Sequence, residues 1–154
     1  MNDEVVILLT EDDSGHATLI KRNLKRTGIQ NPILHFNDGQ QILDYLNCTN
    51  QTPAWEDGTP FIMLLDIRMP KVNGFEVLKR VKNNPELQNI PIIIISTSDN
   101  PHMMERCREL GCLNYIVKPI DYSNFTRVIK QLGQYIQMMN VPKIYLPNGF
   151  GKID

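Results

Sequence analysis

The sequence predicts an α/β domain built on a covered parallel sheet, and two observations lead there. Three apolar runs are continuous: Val5-Val6-Ile7-Leu8-Leu9, Phe61-Ile62-Met63-Leu64-Leu65 and Ile92-Ile93-Ile94-Ile95. Unbroken runs, in contrast to alternating ones, mark strands buried on both faces of a sheet. Between them the apolar residues recur at helical spacing, and parallel neighbours need such crossover connections.

In chain order, the first run is followed by Asp13 and Ser14, either of which can cap a helix whose face is Ala17, Ile20 and Leu24 and whose stop is Gly28. Ile33-Leu34-His35-Phe36 is a weaker second strand. Asp38 then opens a short apolar pattern through Ile42, Leu43 and Leu46. Residues 47–60, with Thr52-Pro53, Gly58 and Pro60, read as a long surface loop before the second run. Phe75, Leu78 and Val81 form the next helical face. The third run leads to a short helix from Met103 to Leu110, then to a strand at Asn114-Tyr115-Ile116-Val117. Phe125, Val128, Ile129, Leu132 and Ile136 line a last helix, which Pro142 closes. The organisation is one domain over residues 4–139 and a tail over 140–154. Loop and tail have two readings, a pair of partner-binding elements or a tolerated insertion and a loose end. Trp55 in the loop is either half-buried or an interface anchor.

The chain of 154 residues is long enough for a real core. A net charge of -1 and a pI near 6.3 give no bulk attraction to nucleic acid or to an anionic membrane, and no Lys/Arg cluster supplies a local one. Cys48, Cys107 and Cys112 lack redox or zinc spacing and read as reduced thiols of a cytoplasmic protein. The apolar run near the N-terminus is too short for a signal peptide or a membrane span. His16, His35 and His102 share no metal-ligand spacing and read as structural or solvated.

The chemistry concentrates where strands end. Glu11 and Asp12 follow the first run, Asp66 the second and Ser96 the third, and Lys118 follows the fifth strand. In an open α/β sheet the carboxyl ends of the strands are where ligands bind. Two like charges about 4 Å apart repel by ~4 kcal/mol at an effective dielectric near 20, so three clustered carboxylates call for a cation. Oxygen-only ligands favour a hard ion, and a few carboxylates suit Mg2+ better than a full Ca2+ cage. A phosphoryl group on Asp66 would be bracketed by that ion and the Lys118 ammonium, with a hydrogen bond from the Ser96 hydroxyl. There is no Gly-rich phosphate loop and no dinucleotide fingerprint.

Ile7-Leu8-Leu9-Thr10-Glu11-Asp12-Asp13, the run Leu65-Asp66-Ile67-Arg68-Met69-Pro70-Lys71-Val72-Asn73-Gly74, Pro91 to Ser98 and Tyr115-Ile116-Val117-Lys118-Pro119 together resemble the receiver domain of two-component response regulators. The resemblance implies a flavodoxin-like (βα)5 doubly wound parallel five-stranded sheet in the order 2-1-3-4-5. It implies that Asp66 accepts a phosphoryl group from the phosphohistidine of a sensor kinase. Glu11, Asp12, Asp66 and the Arg68 backbone carbonyl would hold Mg2+, with Ser96 and Lys118 completing the catalytic set. Ser96 and Tyr115 would act as the switch pair, and Pro119 would follow a cis peptide bond. Glu11 stands where Asp is usual, and the neighbouring Asp13 competes for its role.

The long loop and the Glu-Asp opening are similar to small stand-alone regulators that work with bacterial phytochromes. The partner implied is therefore a sensor histidine kinase of that kind, with a homodimer through the fourth and fifth helices. The protein would be a signalling protein and not an enzyme beyond its own phosphorylation and dephosphorylation. The alternatives are a flavodoxin-like cofactor binder or a receiver-like interaction module without phosphorylation.

Overall fold

The computed structural model describes residues 1–49, 52–119 and 121–147. The elements are β1 (Val6–Thr10), α1 (Ser14–Arg26), β2 (Ile33–Phe36), α2 (Gly39–Asn47), β3 (Thr59–Leu65), α3 (Gly74–Lys82), β4 (Ile92–Ser96), α4 (Pro101–Glu109), β5 (Asn114–Val117), α5 (Tyr122–Gln137) and β6 (Lys143–Ile144). The five long-range pairing strands run in the order β2-β1-β3-β4-β5, and every neighbouring pair among them is parallel. This is the flavodoxin-like arrangement expected from the sequence.

Side chains alternate across a strand, so each apolar run feeds two cores. Leu8, Phe61, Met63, Leu65, Ile92 and Ile94 face one side, where Ile42, Leu46, Val77, Leu78, Val81 and Cys107 from α2, α3 and α4 cover them. Ile7, Leu9, Ile62, Leu64, Ile93 and Ile95 face the other, under Ala17, Ile20, Leu24, Phe125, Ile129 and Ile136 from α1 and α5. The double coverage explains why the runs show no polar alternation.

Each helix begins on a side-chain cap. Asp13 accepts from His16 N for α1, Asp38 from Gln41 N for α2, Asn73 from Glu76 N for α3, Asn100 from His102 N for α4, and Asp121 from Asn124 N for α5. Of the two caps open for α1, Asp13 is the one used. The last helix ends at Gln137 with Met138 as its C-cap, so Pro142 lies beyond the stop it was expected to make.

The amino-terminal end of the sheet departs from the five-strand expectation. β1 pairs with β3 only from Phe61 onward, and the freed start of β3 pairs antiparallel with β6 through Thr59↔Ile144 and Pro60↔Lys143. Ile144 and Leu146 are buried in the α2–α3 core. Loop and tail also hold each other, with Gly58 N donating to Ile144 O at 2.9 Å and Leu146 N to Asp57 Oδ1 at 2.7 Å. Trp55 is only 7% exposed. Its ring meets Phe61 edge-on at 5.1 Å and its Nε1 donates to Tyr45 O at 3.2 Å. Trp55 therefore anchors the loop to its own domain, and the first part of the tail is structural. The rest of the tail, 148–154, and loop residues 50 and 51 lie outside the described residues.

Ending the chain after Val141 removes Ile144 and Leu146 from the core. At about 1.5–3 kcal/mol for each buried aliphatic side chain, stability should fall by roughly 3–6 kcal/mol. Urea unfolding followed by circular dichroism measures this, and an unchanged midpoint would mean that the tail adds nothing.

Candidate functional site

The sheet ladder runs one residue past the regular end of three strands. Glu11 N donates to Phe36 O at 3.0 Å, Asp66 N to Thr10 O at 3.0 Å, and Lys118 N to Ser96 O at 2.7 Å. The strands are parallel with matched register at this end, Thr10 opposite both Phe36 and Leu65 and Ser96 opposite Val117. Residues remote in sequence therefore arrive at one edge with their backbones already fixed.

There the carboxylates converge. One oxygen from each of Glu11, Asp12 and Asp66 lies within 4.8 Å of the others. Glu11 and Asp66 are buried and Asp12 is exposed. Lys118, 6% exposed, donates to Glu11 Oε2 at 2.7 Å and to Asp66 Oδ2 at 3.1 Å. Asp66 Oδ1 accepts from Arg68 N at 3.3 Å. Gly74 lies against the backbone of Asp66, where a Cβ would stand 2.0 Å from the Asp66 carbonyl oxygen. Any side chain at position 74 would displace Asp66, which is the physical need behind that glycine.

Ser96 is fully buried at the end of β4 and its Oγ accepts from Ser98 N at 3.2 Å. Tyr115 on β5 donates its hydroxyl to Ser98 O at 2.8 Å. The two residues expected to form a switch thus grip the same loop residue, one at its N–H and the other at its carbonyl. Arg68 lies two residues past Asp66 with its side chain exposed.

One expectation is corrected. No peptide bond among the described residues is cis, so Pro119 follows a trans bond. Trans is the lower-energy form of an X–Pro bond by about 0.5–1 kcal/mol, and cis prevails only where surrounding contacts demand it. Lys118 already reaches both carboxylates with the trans bond.

His16, which sequence reasoning set aside as structural or solvated, belongs to the site. Its Nδ1 lies 3.3 Å from Lys118 Nζ and its ring packs against Phe125 at 5.7 Å between centroids. The signal available in sequence was its place in the first turn after the acidic pair.

Burial pushes the Glu11 carboxyl from its ordinary value of 4.5 up to about 7; the hydrogen bond from Lys118 opposes the rise and the charge of Asp66 adds to it. Three carboxylates facing one ammonium leave a surplus of negative charge. The ligand set is entirely oxygen, so the site fits a hard divalent cation bound by Glu11, Asp12 and Asp66.

A parallel sheet in this order, with clustered acids and a lysine at its carboxyl edge, defines a class. The chain belongs to the response regulator receiver domain family, whose model matches residues 7–130. A crystal structure of a response regulator receiver domain from Rhodospirillum rubrum is similar with a TM-score of 0.85 and 38% identity, covering 91% of this chain and 99% of that one. Bacteriophytochrome response regulator RtBRR is similar at 37% identity and a TM-score of 0.69, covering 94% and 84%. The Mn(2+)-bound form of response regulator Rcp1 is similar at 27% identity and a TM-score of 0.79, covering 89% and 98%. The protein is thus a response regulator receiver akin to those that partner phytochromes. Among the described residues no helix is long and apolar enough to cross a membrane.

The raised Glu11 carboxyl makes a pH prediction. Between 4.5 and about 7 the unfolded chain has released this proton while the folded chain keeps it, so the folded state loses stability as pH rises through that window. The loss reaches at most about 3 kcal/mol from this group. In chelator, wild type should therefore lose thermal stability relative to Glu11→Gln from pH 5 to pH 8, and a divalent ion should narrow the gap. Parallel pH curves for the two proteins would contradict the assignment.

Proposed function

We propose that Asp66 is the phosphoacceptor of this receiver and that a sensor histidine kinase supplies the phosphoryl group. The observation that supports this most directly is the Lys118 ammonium seated between buried Glu11 and Asp66, with Asp12 completing an oxygen-ligand cluster. Asp66 carries the one carboxylate in contact with both Lys118 and the Arg68 backbone N–H.

In the transfer, an Asp66 oxygen forms a bond to phosphorus as the bond from phosphorus to the donor imidazole nitrogen breaks. The electron pair leaves with the imidazole, which takes up a proton, and the product is an acyl phosphate. Lys118 stabilises the charge on the transferring oxygens, and the Ser96 hydroxyl can donate to one of them once it moves toward Asp66. Glu11, Asp12, Asp66 and the Arg68 backbone carbonyl would hold Mg2+. When bound, that ion supplies neutralisation of the carboxylate cluster and of the incoming phosphoryl group. The Mn(2+)-bound Rcp1 structure supports a divalent ion at such a site.

The readout we assign to Ser96 and Tyr115 is a change of the face made by α4, β5 and α5. Leu113, just before β5, and Tyr135, which shares a groove with Tyr115, Ile116 and Val128, are exposed there, available to a downstream partner or a second copy of the chain. The similarity to RtBRR supports a phytochrome kinase as the partner, and we assign their meeting to the cytoplasm. The chemistry is confined to the protein's own phosphorylation and dephosphorylation, the role of a signalling protein.

Incubation with phosphoramidate and Mg2+ should add one phosphoryl group, read by intact mass. Chelator and Asp66→Asn should each abolish the gain, and Lys118→Met should slow it about 100-fold or more, as expected for loss of a charge aimed at the transferring group. Uptake that persists in Asp66→Asn would place the acceptor elsewhere.

A further inference from the structure

Resting on the reading of Asp66 as phosphoacceptor, we infer that His16 is a positioning residue that sets the direction of the Lys118 ammonium toward the transferring phosphoryl group. An ammonium has three N–H donors and no lone pair. In this site it meets three acceptors: Glu11 Oε2 at 2.7 Å, Asp66 Oδ2 at 3.1 Å and His16 Nδ1 at 3.3 Å. The bond to the ring therefore runs from Lys118 to Nδ1. The nearest other charged groups to Nδ1, Glu11 Oε1 and Asp13 Oδ2, are each 3.9 Å away and outside hydrogen-bond reach.

The three contacts differ in what happens to them during transfer. Asp66 changes partner, because one of its oxygens becomes bonded to phosphorus. Glu11 and His16 do not react. Two unchanging acceptors hold Nζ from two directions and occupy two of its N–H bonds, and the third N–H is then aimed at Asp66 and at whatever is attached to it. With Glu11 alone Nζ can pivot about that one contact through the torsions of the flexible Lys118 stem. His16 is itself held in place, since its backbone N–H is bonded to the Asp13 cap and its ring leans on Phe125 at an interplanar angle of 35°. It also forms the wall of a groove of 440 Å³ shared with Leu19, Thr97, Lys118 and Tyr122, so the Lys118 head is bounded by the ring on its open side.

A group that orients a charge for the transition state changes the maximal rate more than the donor concentration needed for half of it. The test uses the full chain with Mg2+ and phosphoramidate, with phosphorylation followed by quenched intact-mass time courses across donor concentrations. His16→Leu keeps apolar contact with Phe125 and loses the acceptor. It should lower the maximal rate roughly five- to tenfold and shift the half-saturating concentration by less than about twofold. His16→Asn can present its Oδ1 where Nδ1 stands and should recover to within about twofold of wild type. Thermal midpoints of both variants report on folding separately. His16→Leu reacting at the wild-type rate would overturn the inference. So would Leu and Asn variants that are equally slow, because the ring would then act by packing alone. A wild-type protein that takes up no phosphoryl group would instead overturn the reading of Asp66, and the two failures are distinguishable.

Discussion

The three hydrogen bonds that carry the ladder past the strand ends decide where the buried charged groups of the site stand. Glu11, Asp66 and Lys118 are each the first residue after a strand, and each still donates its backbone N–H to the neighbouring strand. Their side chains therefore start from positions set by the register of a sheet whose two faces are filled by Ile, Leu, Val and Phe. A slip of one residue would exchange the two apolar faces and also withdraw the carboxylates from each other, so core packing and site geometry share one constraint. The apolar core stabilises an arrangement of charges that would not assemble by its own energetics.

That arrangement is under tension in the absence of a cation. Glu11 is 1% exposed and Asp66 7% exposed, and both depend on the same ammonium. Taking a carboxylate out of water costs several kcal/mol unless it is paired, and one lysine divided between two acids compensates incompletely. The rise of Glu11 to about 7 is the measure of that shortfall. A divalent ion or a change in the partners of Lys118 relieves it, which makes the site responsive to phosphoryl chemistry.

Much of this was legible in the residues. Continuous Ile-rich runs identify a doubly covered sheet, and Glu11, Asp66, Ser96 and Lys118 at the ends of such runs point to a common edge without any structure. The sixth strand was not legible, because Lys143–Ile144 is two residues long and derives its order from the unpaired start of β3. Trp55 was expected half-buried or at an interface and is instead buried in its own core, because packing against Phe61 and Tyr45 depends on a chain reversal that periodicity does not encode. His16 was missed for a similar reason. Helical spacing places it one position before Ala17 on the rim of the buried face of α1, yet which way its ring turns is set by Phe125 on a helix more than a hundred residues away. The Lys118–Pro119 bond was expected as cis on resemblance alone, and no property of the two residues favours that form over trans.

The helices are not anchored equally, and the difference gives a direction to any change that starts at Ser96. α5 buries Phe125, Ile129, Leu132, Gly133 and Ile136, and α3 buries Gly74, Val77, Leu78 and Val81. α4 buries only Cys107 fully, with Met103 half-buried against the core. It is held otherwise by contacts that can be remade cheaply, such as the Arg106 guanidinium over the Phe75 ring at 4.2 Å. Ser96 and Tyr115 both bond to Ser98, which lies in the loop leading into α4, and the Asn100 cap bonded to Ser98 Oγ at 3.4 Å follows directly. Withdrawing Ser96 Oγ toward a phosphoryl oxygen frees Ser98 N–H and with it one of the two ties on that loop. The apolar cost of moving α5 is several buried side chains, and that of moving α4 is Cys107 and the half-buried Met103. A displacement started by a phosphoryl group would therefore go into α4 and the face it shares with β5 before α5, which carries the larger buried face.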